Sequence, residues 1–212
     1  MMDSYITVAG PSRNEIQINK SRFIGFVSPC NEEEEALSLL RKTREEHRAA
    51  RHHCYAYIIG ENSGIIRYSD DGEPGGTAGL PILEQLRSRK IVNCCLIVTR
   101  YFGGILLGTG GLVRAYTQCA KSVLDSAGSA CMELTGDSYC SLPYSFWDKY
   151  RYTADQLPVR TEKITYGSSV TFHLLARIKD QESMIARLQD ATARKLNVEN
   201  SEQYYSAWPV QE

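Results

Sequence analysis

The chain has 212 residues, 24 of them Lys or Arg and 25 Asp or Glu, for a formal net charge of -1, and is 42% hydrophobic and 23% charged. That composition is that of an ordinary globular protein and excludes a strongly basic nucleic-acid coat, so any nucleic-acid contact must come from a local patch. The apolar run Cys94 to Val98 is far too short to span a membrane, and MMDSYITVAG has neither the basic nor the apolar region of a secretory signal. Seven cysteines without a C-x-x-C spacing form neither a disulfide framework nor a zinc pattern, which suits a reducing, cytoplasmic location.

In chain order, Glu15 to Ile18 alternates and predicts a strand, Lys20 to Arg22 a turn, and Phe23 to Ser28 a second strand. Asn31, with Glu34 three residues on, predicts the capped start of a helix. His53 to Ile59 and Ile65 to Tyr68 predict a hairpin turning at Glu61 to Gly64. A helix is expected from Thr77 to Arg87, a strand buried on both faces from Ile91 to Thr99, and a long helix from Thr109 to Ala127. A domain boundary is expected near residue 130, with domains 1–130 and 131–212.

Beyond it, Ser138 to Leu142, Val159 to Tyr166 and Ser169 to Ile178 read as strands, with helices Tyr144 to Gln156 and Asp180 to Ala193 and a closing strand Gln203 to Trp208. The resulting β-α-β-β-α-β order is the ferredoxin-like α+β pattern. Residues 1–130 carry 15 basic and 14 acidic residues and the remainder 9 and 11, so neither part is basic overall.

Two glycine-rich segments concentrate the chemistry. One runs from Tyr68 to Pro81 through Asp70, Asp71, Gly72 and Glu73; the other runs from Thr99 to Tyr116 through Arg100, Gly103, Gly104, Gly110, Gly111 and Arg114. Each follows a strand and opens a helix, the arrangement that presents backbone N–H groups to an anion. Neither ends in the G-K-[ST] of a P-loop, and the second lacks the third glycine of a dinucleotide fingerprint. Tight turns and close packing explain the glycines as readily as an anion does. Asp70, Asp71 and Glu73 admit a metal, but Asp-Asp-Gly is ordinary turn chemistry and the better reading, so no metal or cofactor is expected. On a strand His52 and Cys54 share one face and His53 takes the other, which read more readily as core than as a catalytic pair. Tyr101 and Phe102 admit base stacking but read more readily as core.

KSRFI from Lys20, RHHCYAY from Arg51, SDDGEPGGTAG from Ser69 and VTRYFGGILLGTGGLVRAY from Val98 occur in one order, and together the chain resembles the IMPACT/YigZ family over residues 5–125. It departs from the family pattern at Gly75, where alanine or serine is usual. The resemblance implies a ribosomal-protein domain-2-like α/β fold in the N-terminal part, as in domain IV of the translocation elongation factor, and a ferredoxin-like second domain similar to its domain V. Eukaryotic members are translation regulators, partly through a further N-terminal domain that this chain is not expected to share. For bacterial-type members the resemblance implies association with RNA or the ribosome, no catalytic residues, and a functional surface of Arg22, His53, Asp70, Asp71, Glu73, Arg100 and Arg114. An RNA-binding or ribosome-binding protein is therefore expected, without DNA specificity or a membrane. A metal-assisted enzyme acting on a phosphate-bearing small molecule, using Asp70, Asp71 or Glu73 with His53, is the alternative. A protein-partner module using Tyr204, Tyr205 and Trp208 is the third.

Overall fold

The computed structural model describes residues 3–208, which fall into two compact units dividing between Cys131 and Met132. The N-terminal unit contains β1 (Ser4–Val8), β2 (Ser12–Ile18), β3 (Ser21–Pro29), α1 (Glu33–Glu46), β4 (His52–Ile59), β5 (Ile65–Ser69), α2 (Gly79–Ser88), β6 (Cys94–Tyr101) and α3 (Gly108–Ala127). Its main sheet has the order β2-β3-β6-β4-β5, with every neighbouring pair antiparallel.

The apolar side chains explain the layers. On one sheet face Phe23, Cys54, Ala56, Leu96 and Val98 pack against Ile82 and Leu86 of α2 and Ala115, Tyr116 and Val123 of α3. On the other, Tyr57, Ile59, Cys95 and Ile97 meet Ala36 and Leu40 of α1. The central strand β6 is thus covered on both sides, as its unbroken apolar run predicts, and only Tyr101 at its end is partly open.

Strand direction decides what the unit displays. Because β4 is antiparallel to both β5 and β6, those two strands leave the sheet at the same end, where β4 enters with His52. The two glycine loops therefore emerge side by side although some 30 residues separate them in the chain.

Local differences from the sequence reading have identifiable causes. The first capping box uses Glu32 and Glu35, one residue later than Asn31 and Glu34, because four consecutive glutamates offer the same chemistry in either register. Neither Thr77 nor Thr109 caps its helix: α2 starts after Ala78 and α3 after Leu107. Thr77 instead donates its hydroxyl to the carbonyl of Pro74. The short β1 lay outside the sequence reading; its Ile6 makes a parallel bridge to Ile91.

The C-terminal unit contains most of β7 (Ser129–Leu142), then a single 3-10 turn at Tyr144–Phe146, α4 (Trp147–Ala154), β8 (Val159–Tyr166), β9 (Val170–Arg177), α5 (Gln181–Ala191) and β10 (Asn197–Trp208). Its strands are ordered β10-β7-β9-β8, and Phe172, Leu174 and Cys140 pack against Trp147 and Tyr150 of α4 and Leu188 of α5. The strand expected over Ser138 to Leu142 begins earlier, at Ser129, so β7 runs through the boundary expected near residue 130. Trp208, read as an exposed contact residue, is buried with the guanidinium groups of Arg160 and Arg177 each within 4.6 Å of its ring centre, and its indole N–H donates to Thr135 Oγ1 at 2.7 Å. Tyr204 stays exposed, with its hydroxyl on Asp137, and Tyr205 is half-buried.

Candidate nucleic-acid interface

The first glycine loop is closed by its own side chains. Asp70 accepts hydrogen bonds from the backbone N–H groups of Gly76, Ala78 and Gly79 at 2.8–2.9 Å, so it does at the start of α2 what a capping residue does. Burial works to raise the Asp70 pKa, but the three N–H groups together outweigh it and hold the carboxyl below the usual carboxylate range. Asp71 is also occupied: one oxygen accepts from the His53 backbone N–H at 2.7 Å and the other from Arg44 at 2.9 Å.

Glu73 ties the two loops together. It is buried and pairs with buried Arg100 of β6 at 2.7 Å, while the Tyr116 hydroxyl of α3 donates to the same carboxylate oxygen at 2.8 Å. Burial, then the neighbouring Cys54 and Glu73, push the Tyr116 phenol far up, so it remains the proton donor. The Cys54 thiol lies 3.3 Å from that phenol and 3.0 Å from the Asp70 carbonyl. Burial pushes the thiol far up as well, the opposite of what a nucleophilic cysteine needs. The Arg100 guanidinium is further enclosed by the rings of Phe23 and Phe102. Read in sequence as a phosphate contact, Arg100 is instead one half of a buried ion pair.

The second loop is built differently. A Cβ at Gly103 would run into the backbone of Lys20, so only glycine lets the chain pass there, and its N–H donates to Ser21 Oγ. Gly104 takes a left-handed φ of 83°. Gly110 and Gly111 lie in the first turn of α3, which has no side-chain cap and no acidic residue. A helix leaves its leading N–H groups without intrahelical partners, and here Gly108 and Thr109 line a cavity of about 420 Å³ together with Arg51, His52, Pro74, Phe102 and Leu106. Around it Phe102 is 43% exposed, Ile105 43% and Leu106 86%, an apolar rim for which burial in the unit gives no reason. Exposed Arg114 folds back over the first turn, its Nη1 lying 3.9 Å from where a Gly110 Cβ would be.

Of the sequence candidates, Glu73 and Arg100 also line this cavity, but each is spent on the other. His53 does not: it is buried on the far side of β4, its Nδ1 lying 3.2 Å from Thr99 Oγ1, and burial lowers its pKa. The imidazole at the cavity is that of His52, whose Nδ1–H donates to the Asp71 carbonyl at 2.9 Å. Arg22 is exposed, paired with Glu15 at 2.8 Å and lying over the Tyr101 ring. Arg51, His52 and the exposed Leu106 went unselected in the sequence; strand parity alone would have separated His52 from His53 once the face toward the loops was known. Among the described residues no group of three or more His, Cys, Asp or Glu is placed to hold a metal ion, and no helix is long and apolar enough to cross a membrane.

Comparison with known proteins bears on the whole chain. The model of the Impact N-terminal domain matches residues 19–124. The chain is 37% identical over 205 residues to the IMPACT family member YvyE of Bacillus subtilis (strain 168), covering 97% of this chain and 94% of that protein. It is 45% identical over 117 residues to the IMPACT family member YigZ of Escherichia coli (strain K12), 54% of this chain and 57% of that one. Among solved structures it is similar to the crystal structure of a hypothetical protein, with a TM-score of 0.63 at 31% identity, over 93% of this chain and 97% of that one.

Proposed function

Because the chain belongs to the IMPACT family, we propose that it is a translation-associated binding protein whose N-terminal unit contacts RNA, free or in the ribosome, at the amino end of α3. The observation that carries this reading is the uncapped glycine turn of α3, open to a cavity and flanked by Arg51 and Arg114. Backbone N–H groups and the positive end of a helix dipole suit a phosphate, and the two arginines suit its neighbours along a chain. Phe102, half open at the rim, offers a ring on which a base stacks.

A binding role also fits the way charge is used here. Asp70, Asp71 and Glu73 are each engaged by protein donors, which leaves the metal-assisted alternative without a free carboxylate cluster. In the same reading the N-terminal unit takes the ribosomal-protein domain-2-like fold and the C-terminal unit the ferredoxin-like fold, for which the order β10-β7-β9-β8 is the supporting observation.

The test is anisotropy of a labelled single-stranded RNA, with Arg51→Ala/Arg114→Ala against wild type at several salt concentrations. Removal of two phosphate contacts weakens binding and flattens the slope of log K against log salt by about 1.4, at roughly 0.7 per phosphate. An unchanged slope overturns the assignment of the interface to this face.

A further inference from the structure

We propose that a second cavity in the N-terminal unit binds a small molecule with an apolar body and one anionic head, independently of the RNA face. It has a volume of about 550 Å³, within the range of small-molecule sites. Ile58 near the end of β4 and Ile91 and Val92 just before β6 line it, so it lies at the opposite end of the sheet from the glycine loops.

Its floor is apolar and its mouth carries a lysine. Ile58, Ile91 and Val92 are all buried, and half-open Tyr5 and Ile6 of β1 extend the apolar lining. The exposed Arg87 and Lys90 stand on the rim beside Glu61, and Arg87 is paired with Glu84 at 3.1 Å, which leaves Lys90 as the free rim cation among the described residues. Desolvated apolar area would hold the body of the ligand, and the Lys90 ammonium would select the head.

Lys90 adds a second observation. The end of α2 is a six-to-one turn, with the Ile91 N–H on the Leu86 carbonyl at 3.0 Å, and the residue at its left-handed position is normally glycine. Here it is Lys90, at φ 56°, a conformation that costs a side-chain-bearing residue about 1 kcal/mol. The turn thereby holds Lys90 at the mouth of the cavity, beside the Arg87–Glu84 pair.

Cys131 supplies the reporter, because it lines this cavity and is the cysteine of the seven that is not buried. The probe is anilinonaphthalene sulfonate, with the uncharged phenylnaphthylamine as its neutral counterpart. Wild type binds the sulfonate saturably, the probe slows alkylation of Cys131 by N-ethylmaleimide severalfold, and Arg87→Glu/Lys90→Glu weakens it by about tenfold while leaving the neutral probe unaffected. The variant sites are exposed, and circular dichroism checks that the fold is kept. Absence of sulfonate binding, unchanged alkylation at saturating probe, or equal affinity in the double variant each overturns the proposal.

Discussion

The two glycine loops of the N-terminal unit begin alike, as strand, glycines and helix, and end as opposites. In the first, Asp70 turns its carboxylate inward onto the N–H groups of Gly76, Ala78 and Gly79, so the start of α2 is satisfied from within. In the second, α3 opens on Gly108 with no side-chain cap and no acid in its first turn. One loop has already supplied its anion; the other presents the same chemistry to whatever enters the cavity. Glycine content alone is thus a poor guide to anion binding, and the presence or absence of an internal carboxylate acceptor decides it.

The contrast can be broken first at the bolt between the loops. Glu73→Ala leaves Arg100 buried without a counter-charge and is expected to cost about 3–5 kcal/mol, read from urea denaturation midpoints. Removing both charges with Glu73→Gln/Arg100→Met should cost less than Glu73→Ala alone, since no orphaned ion remains.

A smaller effect is expected at the internal acceptor. Asp70→Ala should destabilise the protein by about 2 kcal/mol, at the upper end for a lost helix cap. The sign with pH follows from a carboxyl held below its ordinary value: its contribution is present above the unfolded-state pKa and is lost as pH falls through the folded-state pKa. Wild type should therefore lose stability on acidification more steeply than Asp70→Asn, and equal acid limbs in thermal melts would show that Asp70 is not the acceptor described.

Much of the scaffold was legible because period and turn chemistry are local. The apolar run of β6, the β4–β5 hairpin and the long α3 all follow from side-chain pattern. What was not legible is what distance in the chain hides. Arg100 and Glu73 are 27 residues apart, so nothing in the sequence revealed that the arginine is consumed by an ion pair. Strand alternation separated His52 from His53, but only the packing of α2 and α3 determines which side of β4 meets the loops. No local pattern marks Leu106, and its 86% exposure emerges only with the loop in place.

The most direct measurement converts the open helix end into the closed one. Thr109→Asp places a carboxylate in the first turn of α3, where it should raise stability by about 0.3–1 kcal/mol through the helix dipole while competing with phosphate for the same N–H groups. Anisotropy with single-stranded RNA at about 50 mM and 200 mM salt, alongside a thermal melt, reads both effects in one protein. The expected outcome is a protein at least as stable as wild type whose RNA affinity is lower at both salt concentrations. A stable Thr109→Asp protein that binds RNA as wild type does would contradict it.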